Sequence, residues 1–259
     1  MLIHPEWRVS PRVHAAMTTR IGGVSPPPFG ELNLGYSTAD LRDNVIENER
    51  RTAQALGVDT EAIRWVYQVH GNEVRHAESL PVNAPLGGTE IQADAIVSRT
   101  PGLVCGIKIA DCMPVLLAAR DGSVVAAAHA GWRGLASGVV ENTLRAMGVT
   151  GERVTAWLGP CIGPKAFEVG EDVRAAFVSQ NPDAAAHFYV LPKLPNSEAA
   201  PSPPKFLCDL AAIARQRLAA LGVAEVVSSD ACTYSEPERF FSHRRDRTTG
   251  RMAAFVWIE

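Results

Sequence analysis

Residues 110–134, ADCMPVLLAARDGSVVAAAHAGWRG, constrain this chain more tightly than any other stretch. Two strand-length apolar runs flank Asp121-Gly122, the strongest short signal for a β-hairpin. With those two residues as the loop, Arg120 pairs with Ser123, Pro114 faces His129, and Cys112 faces Gly131. Strand alternation then puts Cys112, Pro114, His129 and Gly131 on one face. Cys112 and His129 become diagonal neighbours, roughly 7–8 Å apart at the backbone and able to converge. An antiparallel hairpin at the centre also disfavours a simple doubly wound parallel sheet. The expected fold is α/β, or mixed α+β, with mixed sheets flanked by helices.

The rest of the chain fits that expectation. Residues 18–35 are rich in Gly and Pro and read as a structured loop. A helix follows over 41–57, with Leu41, Val45, Ala53 and Leu56 on one face and Gly57 as its stop. RWVYQVHG alternates aromatic and β-branched residues, which predicts a strand carrying Val66, Gln68 and His70 on one face. Further strands are expected at ADAIVSR, GLVCGIKIA, VTAWLG, AEVVSS and RMAAFVWI. The spacing predicts helices over 134–149, 171–180 and 206–223. Their clearest apolar stripes are Val140, Leu144 and Met147 in the first, and Leu210, Ile213, Ala214, Leu218 and Leu221 in the last. Residues 181–205 are weakly patterned and read as a long surface connection. No internal repeat or linker divides the chain, so 1–259 is expected to form a single domain.

Composition narrows the function classes. A net charge of -3 with no long basic block argues against nucleic acid as a partner. No run reaches the length of a membrane span, and the N-terminus lacks the apolar segment of a secretory signal. Cys105, Cys112, Cys161, Cys208 and Cys232 show no framework spacing. They are expected to be reduced thiols in a cytoplasmic protein.

Apolar strands need neither a thiol nor an imidazole at one hairpin end, so Cys112 and His129 point to chemistry. His129 could activate Cys112 as a nucleophile. Alternatively both could ligate a metal, with His70, at the end of its own apolar run, as third ligand. Two imidazoles and one thiolate suit zinc and leave a fourth position for water or substrate. Asp111, next to the thiol, points to the opposite face of a regular strand and is expected to orient a neighbouring backbone or a substrate-side group rather than ligate. Gly131 and Gly134 allow close backbone approach, and Arg133 between them could hold an anion. LGPCIGP reads as a rigid turn around Cys161. FFSHRRDRTTGR, with His243 and Arg244, fits both a solvated charge run and an anion-binding loop.

These segments together resemble the YfiH-like proteins, variously called laccase-domain or polyphenol oxidase proteins, purine nucleoside phosphorylases and peptidoglycan editing factors. The resemblance spans nearly the whole chain and rests on TTRIGGVSPPPFGELNLG, QVHG, ADAIVSRTPGLVCGIKIADCMPVLL, AAHAGWRG, LGPCIGP and FFSHRRDRTTGR. It implies layered mixed sheets related in fold to Cys-His toxin deamidases. It implies zinc ligands at His70, Cys112 and His129, the trio that the hairpin reading reached separately. It also implies zinc-dependent phosphorolysis of adenosine, inosine, guanosine and methylthioadenosine, and hydrolytic deamination of adenosine. The expected partners are therefore a small nucleoside and phosphate, with Arg20, Arg133 or Arg244 holding the phosphate.

Two other classes compete. A multicopper oxidase needs a blue-copper site plus a histidine-rich cluster. Only seven histidines are present, and His4, His14, His76 and His187 lie outside the ligand-bearing motifs, so copper is disfavoured. A Cys-His hydrolase with Cys112 as nucleophile, acting on a peptidoglycan precursor, is the main enzymatic alternative.

Overall fold

The structure, a computed structural model, describes residues 1–81, 90–192 and 203–259. In chain order the strands are β1 (Leu2–Ile3), β2 (Val13–Thr18), β3 (Ile63–Arg64), β4 (Val74–His76), β5 (Ala95–Ser98), β6 (Val104–Ile109) and β7 (Met113–Ala119). They continue as β8 (Val125–Ala130), β9 (Val154–Leu158), β10 (Glu168–Gly170), β11 (Phe188–Val190), β12 (Lys205–Cys208), β13 (Glu225–Ser228) and β14 (Met252–Ile258). The helices are α1 (Arg42–Leu56), α2 (Trp132–Ala136), α3 (Val139–Met147), α4 (Glu171–Val178), α5 (Leu210–Ala220) and α6 (His243–Asp246).

Two mixed sheets lie face to face. One runs β13-β9-β7-β8-β5-β4, the other β1-β2-β14-β6-β3, and β10-β12-β11 form a small third. Period-2 alternation sorts the central strands between layers. Val115 and Leu117 of β7, with Ala126 and Ala128 of β8, pack under α3 and α5. Leu116, Ala118, Val125 and Ala127 face the other way, onto Cys105, Ile107, Met252 and Ala254 of the second sheet. The outer face of that sheet packs Val104, Ala253 and Phe255 with Ala53 of α1. The layers are therefore helix, sheet, sheet, helix, and the mixed α+β expectation holds.

The hairpin register is as expected: Pro114 pairs with His129 and Ala118 with Val125. Its tip differs in detail. Gly122 N–H bonds Ala119 O at 2.8 Å, with Gly122 at φ 74°, so the chain closes through a tight turn one residue earlier than a two-residue loop.

Other expectations need correction. RWVYQVHG is not a strand beyond Arg64; only Tyr67 makes an isolated bridge, to Gln92. Two side chains take its place in the ladder. Gln68 donates Nε2–H to Lys108 O and accepts the Lys108 N–H, both at 2.7 Å, as a neighbouring strand would. Asp94 accepts the successive N–H groups of Val69, His70 and Gly71. The helix expected over 134–149 is two helices, α2 and α3, broken where Gly138 adopts φ 93°. In the helix expected over 206–223, Phe206–Cys208 instead belong to β12, and α5 starts after Asp209, whose carboxylate accepts the Ala212 N–H. Leu41 is 71% exposed, while α1 buries Asn48, Glu49 and Thr52 beside Val45 and Ala53. Within 181–205, Pro182–His187 form a 3-10 turn leading into β11, and 193–202 lie outside the described residues.

Candidate metal centre and its cavity

His70, Cys112 and His129 come together, each offering one ligand atom, and those atoms all lie within 4.8 Å of one another. The imidazole centroids are 4.8 Å apart at 72°, an edge-to-face arrangement. His129 is held by the β7–β8 ladder. Cys112 lies just before β7, after Asp111 at φ 86°. His70 adopts φ 61°, a left-handed conformation that a β-substituted residue takes only under local compensation.

Asp94 supplies that compensation. Its fully buried carboxylate accepts N–H bonds from Val69 at 3.2 Å, His70 at 2.9 Å and Gly71 at 2.6 Å. The same carboxylate bonds His129 Nδ1 at 2.8 Å. One side chain thus sets the backbone of His70 and the ring of His129. With Nδ1 engaged, His129 turns Nε2 to the centre. Burial pushes the Asp94 carboxyl up, but the His129 and backbone hydrogen bonds outweigh it and hold the carboxyl below its ordinary value.

The Cys112–His129 pair is polarised. Burial raises the Cys112 thiol, yet the facing imidazoles of His129 and His70 outweigh it and bring the thiol down. Burial lowers His129, and Cys112 with Asp94 overcome this and push it up. Such a pair suits a thiolate ligand and equally an activated nucleophile. Gly131 is required by space: a Cβ there would stand 2.8 Å from Cys112 Sγ and 3.2 Å from His70 Cδ2.

Asp111 is not one of the residues whose ligand atoms converge, as expected, but the reason differs, since its positive φ takes it off any regular strand. Its carboxylate accepts Thr233 Oγ1–H and Arg244 N–H, each at 2.7 Å. Asp111 therefore orients backbone of the 233–244 segment.

The trio opens into a cavity of about 470 Å³. Arg133, Arg244, Arg251, Lys108 and His243 line it, with aromatic walls from Tyr36, Trp132 and Phe167. Two other surface cavities, both touching His14 and Trp257, contain none of the trio. Of the expected arginines, Arg133 and Arg244 reach the cavity and Arg20 does not. The Arg20 guanidinium donates to Gly30 O and Pro237 O and lies 4.6 Å from the Phe241 ring centroid, joining two loops. In FFSHRRDRTTGR neither reading covers the whole run. His243, Arg244 and Arg251 line the cavity, whereas Arg245 bonds the carbonyls of Thr233, Tyr234 and Phe240.

Sequence reasoning missed Asp94, Gln68, Lys108 and Arg251. Asp94 had a signal, an acid directly before the fully apolar start of β5. Lys108 had another, a lone charge inside an apolar strand.

Comparison with known proteins agrees with this architecture. The model for the family described as multi-copper polyphenol oxidoreductase laccase matches residues 14–259. The chain belongs to this family. Among its relatives is an Escherichia coli protein named purine nucleoside phosphorylase YfiH, 46% identical over 257 residues, covering 99% of this chain and 98% of that protein. A Pseudomonas aeruginosa protein, also named a purine nucleoside phosphorylase, is 44% identical over 98% of this chain and 97% of its own length. A solved Neisseria meningitidis structure superposes with a TM-score of 0.87 at 40% identity, covering 100% of this chain and 99% of that one. YlmD from Geobacillus stearothermophilus gives 0.82 at 32% identity, covering 96% and 93%.

Proposed function

We propose that this chain is a zinc-dependent purine nucleoside phosphorylase, acting on adenosine, inosine, guanosine and methylthioadenosine. On this reading it also deaminates adenosine by hydrolysis. The observation that carries the proposal is the convergence of His70, Cys112 and His129 at the base of a cation-lined cavity. The names of the relatives support the reaction class.

The donor set fits zinc: two imidazoles and a thiol, one imidazole oriented by a buried carboxylate, with one side open to the cavity. His70, Cys112 and His129 would hold one zinc per chain, and bound there it supplies Lewis acidity. Asp94 keeps the His129 ring in its ligating orientation. The cavity cations neutralise phosphate and the charge that develops as the glycosidic bond breaks. The copper in the family's description calls for a larger histidine set, and the described residues hold one metal-competent group of three. The proposal further takes residues 1–259 as one cytoplasmic domain acting on small molecules rather than nucleic acid.

A second reading keeps a specific observation of its own, the Cys112 thiol beside His129 with the His129 ring held by Asp94, which suits a Cys-His hydrolase acting on a peptidoglycan precursor. One experiment separates the two. Purified zinc-loaded protein is incubated with adenosine, with and without phosphate, and the products are resolved. Phosphorolysis gives adenine and ribose 1-phosphate only with phosphate; deamination gives inosine in both. No nucleoside consumed, with rapid Cys112 alkylation in the metal-free protein and cleavage of an amide, would replace the phosphorylase with the hydrolase.

A further inference from the structure

Strand β6 carries one charged side chain, Lys108, in an otherwise apolar run. The β6–β14 register sets Lys108 opposite Ala253. Arg251, two residues before Ala253, extends the same face and is the diagonal neighbour of Lys108. Both side chains line the cavity that holds the His-Cys-His trio. The turn at 35–37 touches both. Lys108 Nζ stands 4.7 Å from the Tyr36 ring centroid. Arg251 Cγ packs so closely over Gly35 that a Cβ there would lie 2.7 Å from it.

Lys108 is held in place rather than free in solvent. The Trp65 ring flanks it on a second side, with its centroid 4.3 Å from Nζ. Buried Glu49 of α1 locks both rings, accepting Trp65 Nε1–H at 2.7 Å and the Tyr36 hydroxyl. Glu49 is thereby committed to the rings, and among the described residues no carboxylate forms an ion pair with Lys108. Its three N–H donors also have no acceptor there. Arg251 donates Nη1 to Thr249 O and Gly250 O, leaving Nε and Nη2 unpaired among the described residues. The amides of Tyr36 and Ser37 are likewise without acceptors there. Burial pushes the Lys108 ammonium down to about 8 against the opposing pull of Glu49, and burial also lowers Arg251.

Two partly desolvated cations with unmet donors favour an anion that completes them. The other cavity arginines are differently placed. Arg244 donates Nη1 to Glu168 O and stacks near Phe167, and Arg133 lies over Trp132. We propose that Lys108, Arg251 and the turn at 35–37 form the anion subsite of this cavity, and that its ligand is inorganic phosphate. The inference rests on the phosphorolytic reading and names the residues that would take its co-substrate.

The test is calorimetric titration of zinc-loaded protein with inorganic phosphate, alongside KM values for phosphate and for inosine. Lys108→Met keeps an apolar stem between the two rings and removes the charge. Lys108→Gln serves as a second variant if Lys108→Met folds poorly, with zinc content and Tm confirming integrity. The expected result is phosphate affinity lower by about tenfold or more, with a matching rise in KM for phosphate. KM for inosine should move by less than about threefold, a split that general loss of structure does not produce. Phosphate binding unchanged within about twofold in an intact Lys108 variant overturns the subsite, as does absence of phosphate binding by the wild type. Phosphorolysis undisturbed by Lys108→Met sinks the subsite and leaves the phosphorylase. Lys108-dependent phosphate binding in a protein that consumes no nucleoside sinks the phosphorylase and leaves the subsite.

Discussion

Cys112 and His129 arrive on, or one residue beyond, a regular antiparallel ladder, whereas His70 arrives on a segment that has left its sheet. The ladder pair is determined many times over, by backbone bonds along β7, β8 and β9. His70 depends on few groups: the Asp94 carboxylate, the Gln68 side chain and its own left-handed backbone. A ladder fixes the backbone of its residues whatever any single side chain does, even where the His129 ring still takes its orientation from Asp94. A ligand on a loop is as precise only while its anchors remain.

The comparison breaks most completely if the ladder pair does not hold metal. Cys112→Ala with His129→Ala should take zinc from about one per chain to none by elemental analysis, because a lone imidazole cannot retain it. Zinc at full level in that variant removes the assignment. Next in size is Asp94→Asn, which puts an NH2 donor against either the Val69 and Gly71 amides or the His70 amide and His129 Nδ1. Metal affinity should fall by about 10–100-fold, measured by competition with a chelator. Combining it with His70→Ala sharpens the contrast, since only the His129 share of the loss should remain.

Gly131→Ala tests crowding alone, because the Gly131 backbone, at φ -66°, accepts a side chain. Its Cβ would displace Cys112 Sγ or His70, and about tenfold weaker zinc binding is expected, at the low end of what misaligned ligands lose. A fourth test uses pH on the metal-free protein. Cys112 is held below an ordinary thiol, so its thiolate fraction, and hence alkylation, rises with pH at a lower pH than for free cysteine. His129→Ala should move that profile to higher pH, and zinc should suppress alkylation throughout. A wild-type profile rising only where free cysteine does would mean the pair is not polarised.

The smallest effect is reserved for Asp111→Asn. Zinc content should be unchanged, since its carboxylate serves Thr233 and the Arg244 backbone. Stability should fall by about 1–3 kcal/mol in denaturant unfolding, from the weakened charge-assisted bonds. Loss of zinc with an intact fold would bring Asp111 into the metal centre.

Much of the ladder half was legible because its determinants are local. Asp121-Gly122 sets the turn and alternation sets the faces, so Pro114 falls opposite His129. The stripes Val140, Leu144 and Met147, and Leu210, Ile213 and Leu218, are buried as their spacing requires. The loop half misled. RWVYQVHG has the composition of a strand, but side-chain amides and carboxylates compete for its backbone. FLC looks continuous with the helix after it, yet Asp209 caps that helix and releases Phe206–Cys208 into a sheet.

By itself the sequence determined that β7 pairs with β8, which faces of α3 and α5 turn inward, and that a thiol and an imidazole meet at one hairpin end. These follow from periodicities and turn chemistry acting over a few residues. The tertiary structure alone decided that Asp94 joins His70 to His129, that Arg20 ties loops rather than lining the cavity, and that Lys108 and Arg251 share a face. Each of those joins residues distant in the chain, across registers such as β6 with β14, which depend on the packing of two sheets and not on any short pattern.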